Sequence, residues 1–225
     1  MIHFINLSEN IRKYLWKCLK GPYLFISMMD KNSKLTAKAF KGVVSWLKIE
    51  THNIEIFFLE DSNLEGLFKY LIPSSKLLNV QEYYEILPLI KEFILCSGKI
   101  AWHISETDKI VKNLGSQLMM IISSEEFQND CNTNNIKDRN TKNSTQFYSQ
   151  NSSHKNNIFR NQNGLNILWV LNEILEIYTL IIDKAQINSK KFVEDHQLKS
   201  LINKVYHLSK EEGLGPIKER CKQLK

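Results

Sequence analysis

Six histidines and four cysteines are the side chains of this chain best suited to metal or nucleophilic chemistry. The histidines are His3, His52, His103, His154, His196 and His207; the cysteines are Cys18, Cys96, Cys131 and Cys221. No two cysteines are close enough for a CxxC redox or zinc motif, and such wide spacing does not read as a disulfide framework. They are expected as reduced, partly buried thiols of an intracellular protein. A di-metal site in a helical bundle needs Glu-x-x-His on each of two helices. The nearest patterns are Glu82-x-x-Glu85, Glu173-x-x-Glu176 and His52-x-x-Glu55, and none completes that set. These carboxylates and imidazoles read as ordinary surface or partly exposed groups. The sequence has no GxxxxGK[ST], no GxGxxG and no GxSxG. The expectation is a non-enzymatic protein with no catalytic residue, no metal and no cofactor.

The lysines carry the stronger pattern. The chain has 225 residues, 30 Lys and Arg against 24 Asp and Glu, and a formal charge of +6. That charge is not spread evenly. From Ser8 to Ile49 nine basic residues face only Glu9 and Asp30, about +7. From Glu50 to Gly66 five acids meet no base, about −5. A local excess of this kind suits an anionic partner. Arg12, Lys13, Lys17 and Lys20 lie largely off the apolar face of one segment, and Lys34, Lys38, Lys41 and Lys48 recur on one side of the next.

Those residues need helices to position them. A hydrophobic content of 43% with few Gly and Pro fits a globular chain and disfavours a turn-rich β protein. Periodicity predicts a helix from Ser8 to Gly21-Pro22, then a short apolar piece over Tyr23–Met29. Ser33 is expected to cap a second helix, Lys34–Ile49. Others are expected over Ile54–Ile72, over Asn79–His103 with Pro88 kinking or dividing it, and from Ser105 to Ile122. After these come Leu165–Ala185, Ser189–Ser209 and a short basic tail helix beyond Gly215-Pro216. Residues 123–163 are dominated by Asn, Ser, Thr, Gln and Lys and read as a disordered insert. Three sequons, at Asn6, Asn143 and Asn151, read as accidental because no secretory signal is evident. No apolar run reaches the length of a membrane span; Leu165–Ile182, the best candidate, carries Glu173 and Glu176. The expected fold is all-α, a bundle of about seven helices. Residues 1–122 form its N-terminal part and 164–225 complete it after the insert.

Three stretches are similar to the peroxisomal biogenesis factor 11 (peroxin-11) family. They are DKNSKLTAKAFKGVVSWLKI (Asp30–Ile49), LEGLFKYLIPSSKLL (Leu64–Leu78) and ILCSGKIAWHISETDKIVKNLGS (Ile94–Ser116). With Leu168–Leu180 they cover about a third of the chain. The resemblance implies a protein of the peroxisomal membrane that bends or elongates it through basic amphipathic helices near the N-terminus. The apolar, Gly-rich C-terminal span of many members is replaced here by KEEGLGPIKERCKQLK. That implies surface association with the cytosolic face of an organelle membrane.

In that reading Arg12, Lys13, Lys17, Lys20, Lys34, Lys38 and Lys41 meet lipid headgroups, while Trp16, Phe40 and Trp46 insert as apolar anchors. The expected partner is an anionic membrane surface, with protein partners or self-association beside it. Nucleic acid is disfavoured, because Arg is sparse in the patch and no recognition motif stands out. The alternative is a soluble cytoplasmic helical adaptor docking an acidic partner. There Phe40 and Trp46 belong to the core and the lysines face out.

Overall fold

The computed structural model describes residues 10, 11, 14, 21–31, 35–60, 63–78, 80–123, 167–209 and 214–225. Among them the regular structure is entirely helical, as the periodicity predicts. Eleven helices follow in order: α1 Gly21–Lys31, α2 Thr36–Ile49, α3 Thr51–Leu59, α4 Asn63–Leu71, α5 Val80–Cys96, α6 Gly98–Glu106, α7 Asp108–Ile122, α8 Ile167–Ala185, α9 Ser189–Asp195, α10 Lys199–Leu208 and α11 Gly215–Gln223. The expected insert, apart from Ser123, lies outside the described residues, as does the expected cap Ser33. None of the helices is long and apolar enough to cross a membrane, among the described residues.

The excess over seven helices comes from local chemistry that periodicity does not register. Tyr23–Met29 is helical because Pro22 sits in the first turn of α1, where a missing N–H is harmless. Between α3 and α4 the backbone turns extended at Glu60, and the Asn63 side-chain amide donates to the Phe57 carbonyl. Pro88 lies inside α5 without dividing it. The division falls instead at Ser97, whose hydroxyl accepts from the Ile100 N–H and caps α6. Ser105 does not open α7; it sits within α6 and donates to the Trp102 carbonyl. Ser189–Ser209 is broken at His196–Leu198, where Gln197 adopts a left-handed φ of 58°.

One continuous core runs from Phe25 to Leu224. α8 packs against α5, α6 and α11, and α2 lies between α1 and α5. At the second junction Phe40 and Phe58 both meet Phe93, at ring-centroid distances of 5.5 and 5.3 Å, with Phe68 beside it. Ring contacts of this kind, edge-to-face for Phe58 and tilted for Phe40 and Phe68, add to the burial of their large apolar surfaces. Gly42 sets the approach of α1 to α2, since a Cβ there would lie 2.5 Å from the Phe25 ring. At Gly115 of α7 a Cβ would only touch Tyr178, Leu198 and Leu201 at ordinary contact distance, 3.4–3.5 Å.

Two polar arrangements close the bundle. Gln117, fully buried, accepts from the Leu78 N–H and the Tyr83 hydroxyl and donates to the carbonyls of Pro73 and Lys76. It satisfies the turn between α4 and α5 from a neighbouring helix. Lys91 of α5 pairs with Glu173 and Glu176 of α8, and Arg220 of α11 reaches Glu176 at 3.0 Å and Asn172 at 2.9 Å.

Candidate functional site

The candidate site is the outer edge of α2. Its helical spacing places Lys38, Lys41 and Lys48 on one side, separated by three and seven residues, and all three are exposed. Lys48 pairs with Glu92 at 3.0 Å. Among the described residues, no carboxylate pairs with Lys38 or Lys41. The inward side of α2 is broad. Thr36, Ala39, Phe40, Gly42, Val43, Val44, Trp46 and Leu47 are all buried, so the lysines form a narrow seam.

This placement corrects two of the expected anchors. Phe40 is 0% exposed and Trp46 2%. Phe40 contacts Phe93 of α5, and Trp46 meets Phe25 of α1 edge-on at 6.0 Å. The apolar face that would enter a bilayer is covered by α1 and α5. A membrane-inserting helix and a bundle helix share one sequence pattern, and only the presence of covering helices separates them. Arg12, Lys13, Trp16, Lys17, Lys20 and Lys34 lie outside the described residues. Near them Tyr14 and Tyr23 are exposed.

Several of the groups first considered for chemistry have structural partners. Glu173 is buried and held by Lys91, and Glu176 is shared between Lys91 and Arg220, so neither is an ordinary surface carboxylate. His196, expected to be at least partly exposed, is buried. Its Nδ1 lies 3.0 Å from Asp108 Oδ1, its Nε2 lies 2.7 Å from the Ser105 carbonyl oxygen, and its ring packs on Phe192. Both partners are acceptors, so whichever ring nitrogen carries a proton has an oxygen to donate to. His196 thereby ties the α9–α10 turn to the α6–α7 junction. The Asp108 carboxyl is held below the usual carboxylate range by Lys112 first and His196 second. Burial raises the Tyr83 and Tyr178 hydroxyls, which donate to Gln117 and to the Val111 carbonyl. Burial also pushes the Cys221 thiol up to about 11 and raises Cys96, and both thiols are free. A raised thiol holds less thiolate and is a poorer nucleophile. Among the described residues no three His, Cys, Asp or Glu side chains converge in a metal-binding group.

The sequence hid His196 and Glu173 because Glu173 is a single polar residue on a largely apolar helix face and His196 lies in the turn just after α9. The signal available was their position among buried neighbours: Phe192 and Val193 precede His196, and Ile174 and Leu175 follow Glu173. No protein-family model matches the chain, and no curated protein or solved structure is detectably similar to it.

Proposed function

We propose that this protein is a non-enzymatic helical adaptor that docks an acidic partner on the lysine seam of α2. The observation that carries this reading is the burial of Phe40 and Trp46. With the apolar side of α2 engaged in the core, its outward side offers mainly charge, with Ile49 exposed at its end. Lys38 and Lys41 are free to pair with carboxylates or phosphates of a partner. Exposed Lys contacts of this type favour fast, salt-sensitive association. The test is binding of the full chain to an immobilised poly-glutamate peptide at about 0.05 and 0.15 M salt. The Lys38→Glu/Lys41→Glu variant should keep its helicity and lose retention. Equal retention of variant and parent would remove the seam from the mechanism.

A second reading, association with an organelle membrane of the peroxisomal kind, draws support from exposed Tyr14 and Tyr23, a residue type that favours the bilayer interface. It assigns contact to the N-terminal segment ahead of α2. Flotation with phosphatidylserine vesicles containing brominated lipid separates the two readings. A single-Trp46 variant that binds vesicles without quenching keeps α2 out of the bilayer. Strong quenching of Trp46 would restore α2 as an inserting helix.

A further inference from the structure

A basic cavity away from α2 has no part in the adaptor reading. α9 and α10 meet at the turn His196–Gln197–Leu198, and a cavity of about 150 Å³ opens between them. Its base is apolar: Val193 of α9 and Ile202 of α10, both buried. Its rim carries Lys190 and Glu194 from α9, Lys199 and Asn203 from α10, and Lys225. A volume of this order holds a single benzene ring when lined by apolar groups. The space therefore suits a small group.

The walls are held in place. The turn is closed by the Leu198 N–H donating to the Val193 carbonyl and the Gln197 N–H donating to that of Glu194. His196 is pinned by Asp108 and Ser105. The Lys225 ammonium rests 3.7 Å above the Tyr206 ring, so that arm is positioned as well. Lys190, Lys199 and Lys225 against Glu194 leave two formal positive side-chain charges among the lining residues. A phosphomonoester carries about −1.5 to −2 at neutral pH. Lysine contacts such a group as a mobile point charge and does not need the planar geometry of a carboxylate fork.

We propose that this cavity binds a small phosphomonoester with a short apolar carrier. Lys190, Lys199 and Lys225 hold the phosphate, and the carrier sits on Val193 and Ile202. Asn203 and Glu194 are placed to hydrogen-bond a hydroxyl or amide of the carrier. Charge and floor are both required, so n-butyl phosphate should bind more tightly than inorganic phosphate, butyrate or butanol.

Calorimetry and amide chemical shifts on the full chain test this. With n-butyl phosphate, shifts should concentrate at Val193, Ile202 and Asn203, with affinity about tenfold above that for inorganic phosphate. Lys190→Ser/Lys199→Ser alters two exposed positions and should keep the parent helicity while weakening binding about a hundredfold. Lys38→Glu/Lys41→Glu should leave n-butyl phosphate binding unchanged, so failure of the adaptor reading and failure of this one are distinguishable. Butanol matching n-butyl phosphate, a double serine variant binding like the parent, or no shift at those three amides at about 10 mM would each overturn the proposal.

Discussion

Gln117 shows what one side chain contributes when every one of its hydrogen-bonding capacities is used. Two groups donate to its oxygen and two carbonyls accept from its nitrogen, all where water is excluded. Gln117→Leu leaves the Leu78 N–H, the Tyr83 hydroxyl and two carbonyls to find other partners. The expected loss is about 3 kcal/mol in urea unfolding, against about 1 kcal/mol for a typical exposed substitution. Asp108 gives a pH signature. Its pKa is lower in the folded chain than in the unfolded one, so its contribution is complete above the ordinary carboxylate value and is lost as pH falls through the lowered one. Because Asp108 is half exposed, that contribution is about 0.5 kcal/mol or less. Asp108→Asn should lower stability at pH 7 and flatten the acid limb below about pH 4, which urea midpoints across pH would reveal. None of this was legible from residue types. A buried Gln and an exposed one look alike until the chain ends that converge on them are known.

At the scale of the helix, the apolar periodicity of residues 36–49 and 167–185 placed two elements almost to the residue. It failed where single side chains end helices, at Ser97 and at Gln197, since these interruptions leave the apolar pattern intact. The outward side of α2 was equally legible, because Lys38 and Lys41 fall opposite Val43 and Leu47. What covers the inward side was not, because α1 was read as a short apolar connection. Gly42 is the contact that makes this cover possible. Gly42→Ala forces its methyl group against the Phe25 ring, a rigid neighbour, and should destabilise by about 2 kcal/mol despite the better helix propensity of Ala. Adding Phe25→Leu should recover part of that loss. A double-mutant cycle with no coupling between the two positions would show that α1 sits elsewhere.

For the whole molecule, the ionic cluster of Lys91, Glu173, Glu176 and Arg220 joins α5, α8 and α11, which come from the two sides of residues 124–166. Glu173 is buried, so Lys91→Met leaves a carboxylate without its main partner and should cost about 3 kcal/mol. Lys91→Met/Glu173→Leu replaces the pair with apolar surface and should return most of it, as read from thermal midpoints of the three proteins. The same joining has a consequence in time. α6 buries Ile100, Ala101 and Ile104 chiefly against α8, which begins at Ile167, about sixty residues after α6 ends. At about 5–20 residues per second, a ribosome needs several seconds to deliver that partner. Through that interval the nascent chain displays the bare flanks of α5 and α6. The growing polypeptide is thus most in need of a chaperone after α6 has emerged and before α8 has.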